Sequence, residues 1–536
     1  MLNLRVITAH GTPEEVQIAI EAGANVNKQN CFKETPLMYA ARYNQNPEVT
    51  TALITAGANV NEKDRYEETP LMCAVRYNQN PEVITTLIKA GANVIERDRN
   101  ENTLLMRVAE YNQNPEMITA LIKAGANIDE KDRYEKTSLM YAAQYNQNPE
   151  MITALIKAGA NVNERNTDGR TPLMFAARYN QNPEVITALI KAGANVNEKD
   201  TYGTHPMTFA TQYNQNPEVV TALIKAGANV NERDNSLIFA ASLNQNPEVI
   251  TALIKAGTNV NARNTDGRTP LMFAASRNQN PEVITALIKS GANVNERNID
   301  GQTPLMFAAV DNKSPEVITT LIKAGANVND KDSDGLTPLM LAVIDNENPE
   351  VTTALIKAGA NVNERNSTTG LTPLMLAVSN NRNPGVITAL IKMGANINDR
   401  DSNGYTHLML ASGNNQNPEV ITTLIKAGAN VNDQDSYGTT PLMFCAGNNQ
   451  NPEVITTLIK AGANVNDQDS DGLTPLMLAA RGNLLPKHEV ITILLKAGAD
   501  GSLKDRDGKT AFDYAGDDEN LKGTTLYRDL KNAQSK

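Results

Sequence analysis

The chain has 536 residues with 60 acidic and 49 basic side chains, a formal net charge of −11. That balance, with no basic patch in either half, argues against a nucleic-acid partner. The three cysteines, Cys31, Cys73 and Cys445, are too few and too far apart for a disulfide framework and suit a reducing, cytoplasmic compartment.

The N-terminal stretch MLNLRVITAHGTPEE lacks the basic-then-apolar order of a signal peptide, and carboxylates arrive at Glu14 and Glu15. No run of about 18 apolar residues occurs, so no membrane insertion is expected. A partial unit at 1–34 leads into a block of about 34 residues that recurs along nearly the whole chain. Its Thr-Pro-Leu-Met opening starts at Thr35, Thr69, Thr171, Thr269, Thr303, Thr337, Thr372, Thr440 and Thr474, and at Thr137 with Ser138 in second place. Degenerate copies start at Thr103, His205, Asn235 and Thr406, which makes 14, and a second partial unit fills 510–536. A fixed period of this length marks a solenoid, because one unit cannot enclose its own apolar stripe and stacked units can. One continuous all-α solenoid is therefore expected, with segments 1–34, 35–234, 235–509 and 510–536.

The copy at 171–204 shows what each unit builds. Thr171-Pro172 starts a short helix, the hydroxyl capping free N–H groups and Pro fitting the first helical position. Leu173, Met174, Ala176 and Ala177 supply its apolar face, and Asn180-Gln181-Asn182 ends it, Asn tolerating the left-handed conformation. Asn182-Pro183-Glu184 starts a second helix with an N-cap and a dipole-matched acid. Val185, Ile186, Leu189 and Ile190 form its apolar stripe, and Gly193 ends it. An extended, hairpin-like loop follows, turning at positions such as Asp168-Gly169.

Thr-Pro-Leu-x-x-Ala-Ala, a Val-x-x-Leu-Ile helix, Ala-Gly-Ala-Asn-Val-Asn and Asp-x-x-Gly, recurring in register, resemble the ankyrin repeat. Residues 4–27 and 510–533 resemble its N- and C-terminal caps. The resemblance implies stacked antiparallel helix pairs with projecting β-hairpin-like loops. It also implies a non-catalytic role: binding protein partners through the loop tips and the concave face of the first helices. Three departures stand out. Met replaces the family's His after Thr-Pro-Leu at twelve positions, Met38 through Met477, which predicts apolar packing where the family has polar contacts. The inter-helix turn carries Asn-x-Asn-Pro with one extra residue, a form that resembles bacterial arrays. Between Asn231 and Leu237 about four residues of loop and cap are missing, which predicts a missing finger.

The repeats act as their own comparison. The residue ending the first helix is Tyr43, Tyr77, Tyr111, Tyr145, Tyr179 and Tyr213 in six consecutive copies, then Leu243, Arg277, Asp311, Asp345, Asn380, Asn414 and Asn448. Arg42, Arg76 and Arg178 precede three of the tyrosines. In the family this column faces the groove, so the tyrosines read either as a contact ladder or as rings that only stack on neighbouring copies. The early loop tips carry Arg65-Tyr66, Arg99 and Arg133-Tyr134 and lack the turn Gly, which either reshapes the turn or strains it. Such tips suit recognition or form an ordinary charged surface. Both columns change near residue 234, which makes 35–234 the expected partner-binding segment.

No catalytic or metal site is expected, and no cofactor. Asp330–Gly335 and Asp467–Gly472 open like calcium loops, but the twelfth positions are Leu341 and Leu478 instead of a bidentate Glu. His10, His205, His407 and His488 lie in different units without zinc-ligand spacing. Cys73 and Cys445 fall in helix core columns and are expected to be inert. The leading expectation is a monomeric scaffold or adaptor. The alternatives are a rigid spacer and an effector delivered into a host cell.

Overall fold

In the computed structural model, residues 4–230, 236–481, 487–516 and 524–534 are described. They fall into two compact units that meet in sequence between Asn259 and Val260. Each is built from the same short helix pair. In most copies the first helix has eight residues, as in Pro36–Tyr43, and the second nine, as in Pro47–Thr55. Within each unit, first helices pack on first helices of the next copy and second helices on second.

The helix starts follow from the Thr-Pro and Asn-Pro signals. Thr35 Oγ1 accepts the Met38 amide at 3.4 Å, and Asn46 Oδ1 accepts the Glu48 amide at 2.9 Å. The methionine column does more than fill space. Met38 is fully buried, and its Sδ lies 3.4 Å from the Thr35 amide, which donates to it. The same contact recurs at Met106, Met272 and Met443. A thioether, a weak acceptor, thus stands where a capping box carries Glu or Gln. The expectation of purely apolar packing is corrected to that extent. Gly193 ends the second helix at φ 94, with Ala194 donating back to the Leu189 carbonyl at 3.0 Å.

The inter-helix turn departs from expectation in a way that explains its composition. Asn180 is not left-handed but extended, at φ −84 and ψ 129. Its side chain is what matters. Asn180 Oδ1 accepts the Asn182 amide at 2.9 Å, while Nδ2 donates to the carbonyls of Ala143 (3.0 Å) and Asn146 (2.8 Å) in the preceding copy. Asn78, Asn146 and Asn214 do the same, and Asn312, Asn346, Asn415 and Asn449 repeat the pattern in the second unit. Each buried Asn joins two copies and orders its own turn at once.

The projecting loops are successive turns more than hairpins: among the described residues the only bridges are the isolated pairs Arg97–Thr103 and Arg400–Thr406. Leu173, Met174, Ala176, Ala177, Val185, Ile186 and Leu189 are buried as predicted, with Phe175 added and Ile190 only half-buried. Residues 231–235, where a finger is missing in sequence, lie outside the described residues.

Candidate protein-docking surface

The helical spacing of the repeat puts the last residue of every first helix on one edge of the copy. Tyr43, Tyr77, Tyr111, Tyr145, Tyr179 and Tyr213 are there 40–48% exposed, a row of half-open rings. The three arginines lie between them. Arg42 sits over Tyr43 at 5.8 Å and Tyr77 at 5.0 Å; Arg76 sits over Tyr77 at 5.2 Å and Tyr111 at 5.0 Å. Arg178 lies 5.0 Å from the Tyr179 ring and 4.2 Å from the Tyr213 ring. These distances are within reach of cation–π attraction, so ring and guanidinium alternate from Tyr43 to Tyr111 and again from Tyr179 to Tyr213.

Carboxylates from the residue just before the Thr cap hold the first two arginines. Glu34 meets Arg42 at 2.9 Å, and Glu68 meets Arg76 at 2.9 Å and Arg42 at 3.5 Å. A further cation, Arg107, reaches Tyr111 at 5.9 Å and pairs with Asp98 and Glu110. Sequence reasoning missed Arg107 because its column is otherwise Tyr39, Cys73, Tyr141, Phe175 and Phe209. Burial, and then the neighbouring Glu110, raise the hydroxyls of Tyr111 and Tyr145. Both therefore stay protonated donors at neutral pH.

At the loop tips Arg65, Tyr66, Arg99, Arg133 and Tyr134 are all exposed. Arg99 lies over the Tyr66 ring at 5.7 Å and donates to the Arg65 carbonyl of the preceding finger, and Arg133 lies over Tyr134 at 4.8 Å. The missing turn glycines do not reshape the turn. Glu67, Glu101 and Glu135 take the left-handed conformation at φ 65, 64 and 58, at a cost of about 1 kcal/mol each. Asp64 holds the turn by accepting the Tyr66 and Glu68 amides at 2.7 and 2.9 Å. Three further exposed tip aromatics, Phe32 and Tyr202 in the first unit and Tyr437 in the second, occupy the Tyr66 column and were legible there.

In the second unit the tyrosine column turns polar. Ser276 donates to Asp311 at 2.5 Å, and burial together with Asp311 raises the Asp345 carboxyl. A concavity of about 550 Å³ lies among Tyr405, Tyr437, Phe444, Leu478 and Arg481. Gly447, where an added Cβ would meet nothing within 4 Å, leaves it open.

Burial pushes the Cys73 thiol up to about 12 and raises that of Cys445 as well, while Cys31 is exposed. Asp332 Oδ1 accepts the Asp334 and Leu336 amides of its own turn at 3.1 and 2.8 Å. Among the described residues no helix is long and apolar enough to cross a membrane.

A family model for ankyrin repeats, three copies long, matches residues 4–98, 80–166, 139–234, 237–332, 309–401, 383–469 and 442–523, stretches that overlap except between 234 and 237. No curated protein matches. The crystal structure of the human ASB11 ankyrin repeat domain is similar at 24% identity, over 43% of this chain and 99% of that one, with a TM-score of 0.38. Repeats of this kind are in general protein–protein interaction modules. With helix pair, turn and stacking in place and the family model matched from residue 4 to residue 523, the chain belongs to the ankyrin repeat family.

Proposed function

We propose that the protein is a non-catalytic scaffold or adaptor that binds a partner protein through the tyrosine–arginine row and loop tips of residues 35–234. The observation that carries this is the row itself: six rings in six consecutive copies, each more than a third exposed. Tyr offers large amphipathic area at low entropy cost, and Tyr and Arg dominate binding hot spots. A structural part needs no such exposure.

A second reading has its own support. The arginines bind rings of two successive copies, so the row also ties copies together, as a spacer would require. Tyr77→Ala, Tyr111→Ala and Tyr145→Ala combined in one full-length chain separate the two. The binding reading expects partner capture to fall at least tenfold while helicity and melting stay within a few degrees. Lost melting with intact capture would establish the spacer instead.

A further inference from the structure

The row is not electrically uniform. In the copies starting at Thr35 and Thr69 every groove arginine has a carboxylate: Arg42 has Glu34 and Glu68, and Arg76 has Glu68. Arg107 has Asp98 and Glu110. In the copies starting at Thr137 and Thr171 the residue before the cap, Glu in the first two copies, is Lys136 and then Arg170.

Among the described residues Lys136 forms no ion pair; it donates to the Gln144 amide oxygen at 3.1 Å and lies over the Tyr141 and Phe175 rings at 5.5 and 4.7 Å. Arg170 lies over Phe209 at 5.2 Å and is met by Asp168 and Asp200, each at 3.4 Å. Arg178 lies against the Tyr179, Phe209 and Tyr213 rings and has no carboxylate within ion-pair distance among the described residues. The next copy offers Thr204 where Arg42 finds Glu68. The remaining acids nearby are committed elsewhere: Glu110 to Arg107, and Asp132 to the Tyr141 hydroxyl and its own turn amides.

We infer that the surface around Arg178, with Lys136, receives carboxylate side chains from an extended acidic segment of the partner protein, beside Arg170, whose own charge is already met. The inference rests on the binding reading above and adds the partner's chemistry. A partner carboxylate at Arg178 would occupy the place that Glu68 holds at Arg42. Phe175 and Phe209, nearly fully buried, form an apolar floor, and the half-exposed Tyr145, Tyr179 and Tyr213 flank it. Charge-assisted hydrogen bonds gain strength against such low-dielectric walls. Burial lowers the Lys136 ammonium against the pull of Asp132, Glu110 and Asp168, with Arg170 adding to the lowering.

The test uses full-length chain and labelled octapeptides of glutamate, lysine and serine, followed by fluorescence anisotropy at 0.15 M salt. At that ionic strength the chain's net charge of −11 is screened beyond about 8 Å. Octaglutamate is expected to bind at least tenfold tighter than the other two. R178Q with K136Q should lose that preference, whereas K157Q with K191Q, which removes two exposed lysines at the second-helix ends of the same two copies, should keep it. No preference for octaglutamate, or equal loss in K157Q/K191Q and R178Q/K136Q, overturns the inference. That failure is separate from failure of the binding reading, which shows instead as partner capture unaffected by the triple tyrosine substitution.

Discussion

His407 shows how one departure from the repeat consensus becomes a measurable property. It takes the first helical position that Pro fills in most copies, is fully buried, and places Nδ1 2.9 Å from the Ile397 carbonyl. Nε2 is buried without a partner, so protonation there would add a donor with nothing to receive it. Burial accordingly lowers the imidazole from 6.5 to about 4. A depressed folded-state value means the folded chain binds fewer protons than the unfolded one. The stability it confers is complete above pH 6.5 and is lost as pH falls toward 4. The difference corresponds to roughly 3 kcal/mol. Denaturant melts at pH 7 and pH 4.5 should show this acid-dependent loss in the native chain, and H407P, which restores the consensus Pro, should shrink it. An unchanged pH dependence in H407P would contradict the assignment. Tyr and Arg of the groove row were legible at this scale because repetition exposes any column that varies against a fixed frame. Arg107 was not, since a single Arg in a column otherwise filled by aromatic and small or aliphatic side chains has no periodic signal.

At the scale of the element, the Asn-x-Asn turn decides how copies register. Asn146 donates to Ala109 at 3.1 Å and Asn112 at 2.6 Å and accepts from Asn148 at 2.9 Å, all while fully buried. Asn146→Ala removes all three and strands two buried carbonyls, which should cost about 2–4 kcal/mol. Gln147→Ala, one residue on and exposed, should stay within about 0.5 kcal/mol. Urea melts of the two variants read the contrast, and equal effects would refute the role given to Asn146. The helix starts and the Gly ends were legible in sequence because caps act within three or four residues. The Asn role was not, because its acceptors lie 34 and 37 residues away and a local reading sees only a residue that tolerates left-handed backbone. The loop glutamates were half legible. The absent glycine signalled an anomaly, and only the backbone showed that Glu67, Glu101 and Glu135 keep the turn and bear its strain.

Within each unit the molecule turns similarity along the chain into adjacency in space, since copies contact their sequence neighbours at matching positions. That is why six tyrosines 34 residues apart make one surface, and why a change of residue in one column changes a region and not a point. The first unit carries the aromatic and cationic columns, and the second carries Asp311, Asp345 and the concavity beside Gly447. The most direct measurement is backbone hydrogen exchange on the full-length chain with and without its captured partner. Protection is predicted to gather at the first-helix ends around Tyr77, Tyr111, Tyr145 and Tyr179 and at the Tyr66 and Tyr134 tips. Protection confined to 269–480, with the tyrosine copies unchanged, would contradict the account.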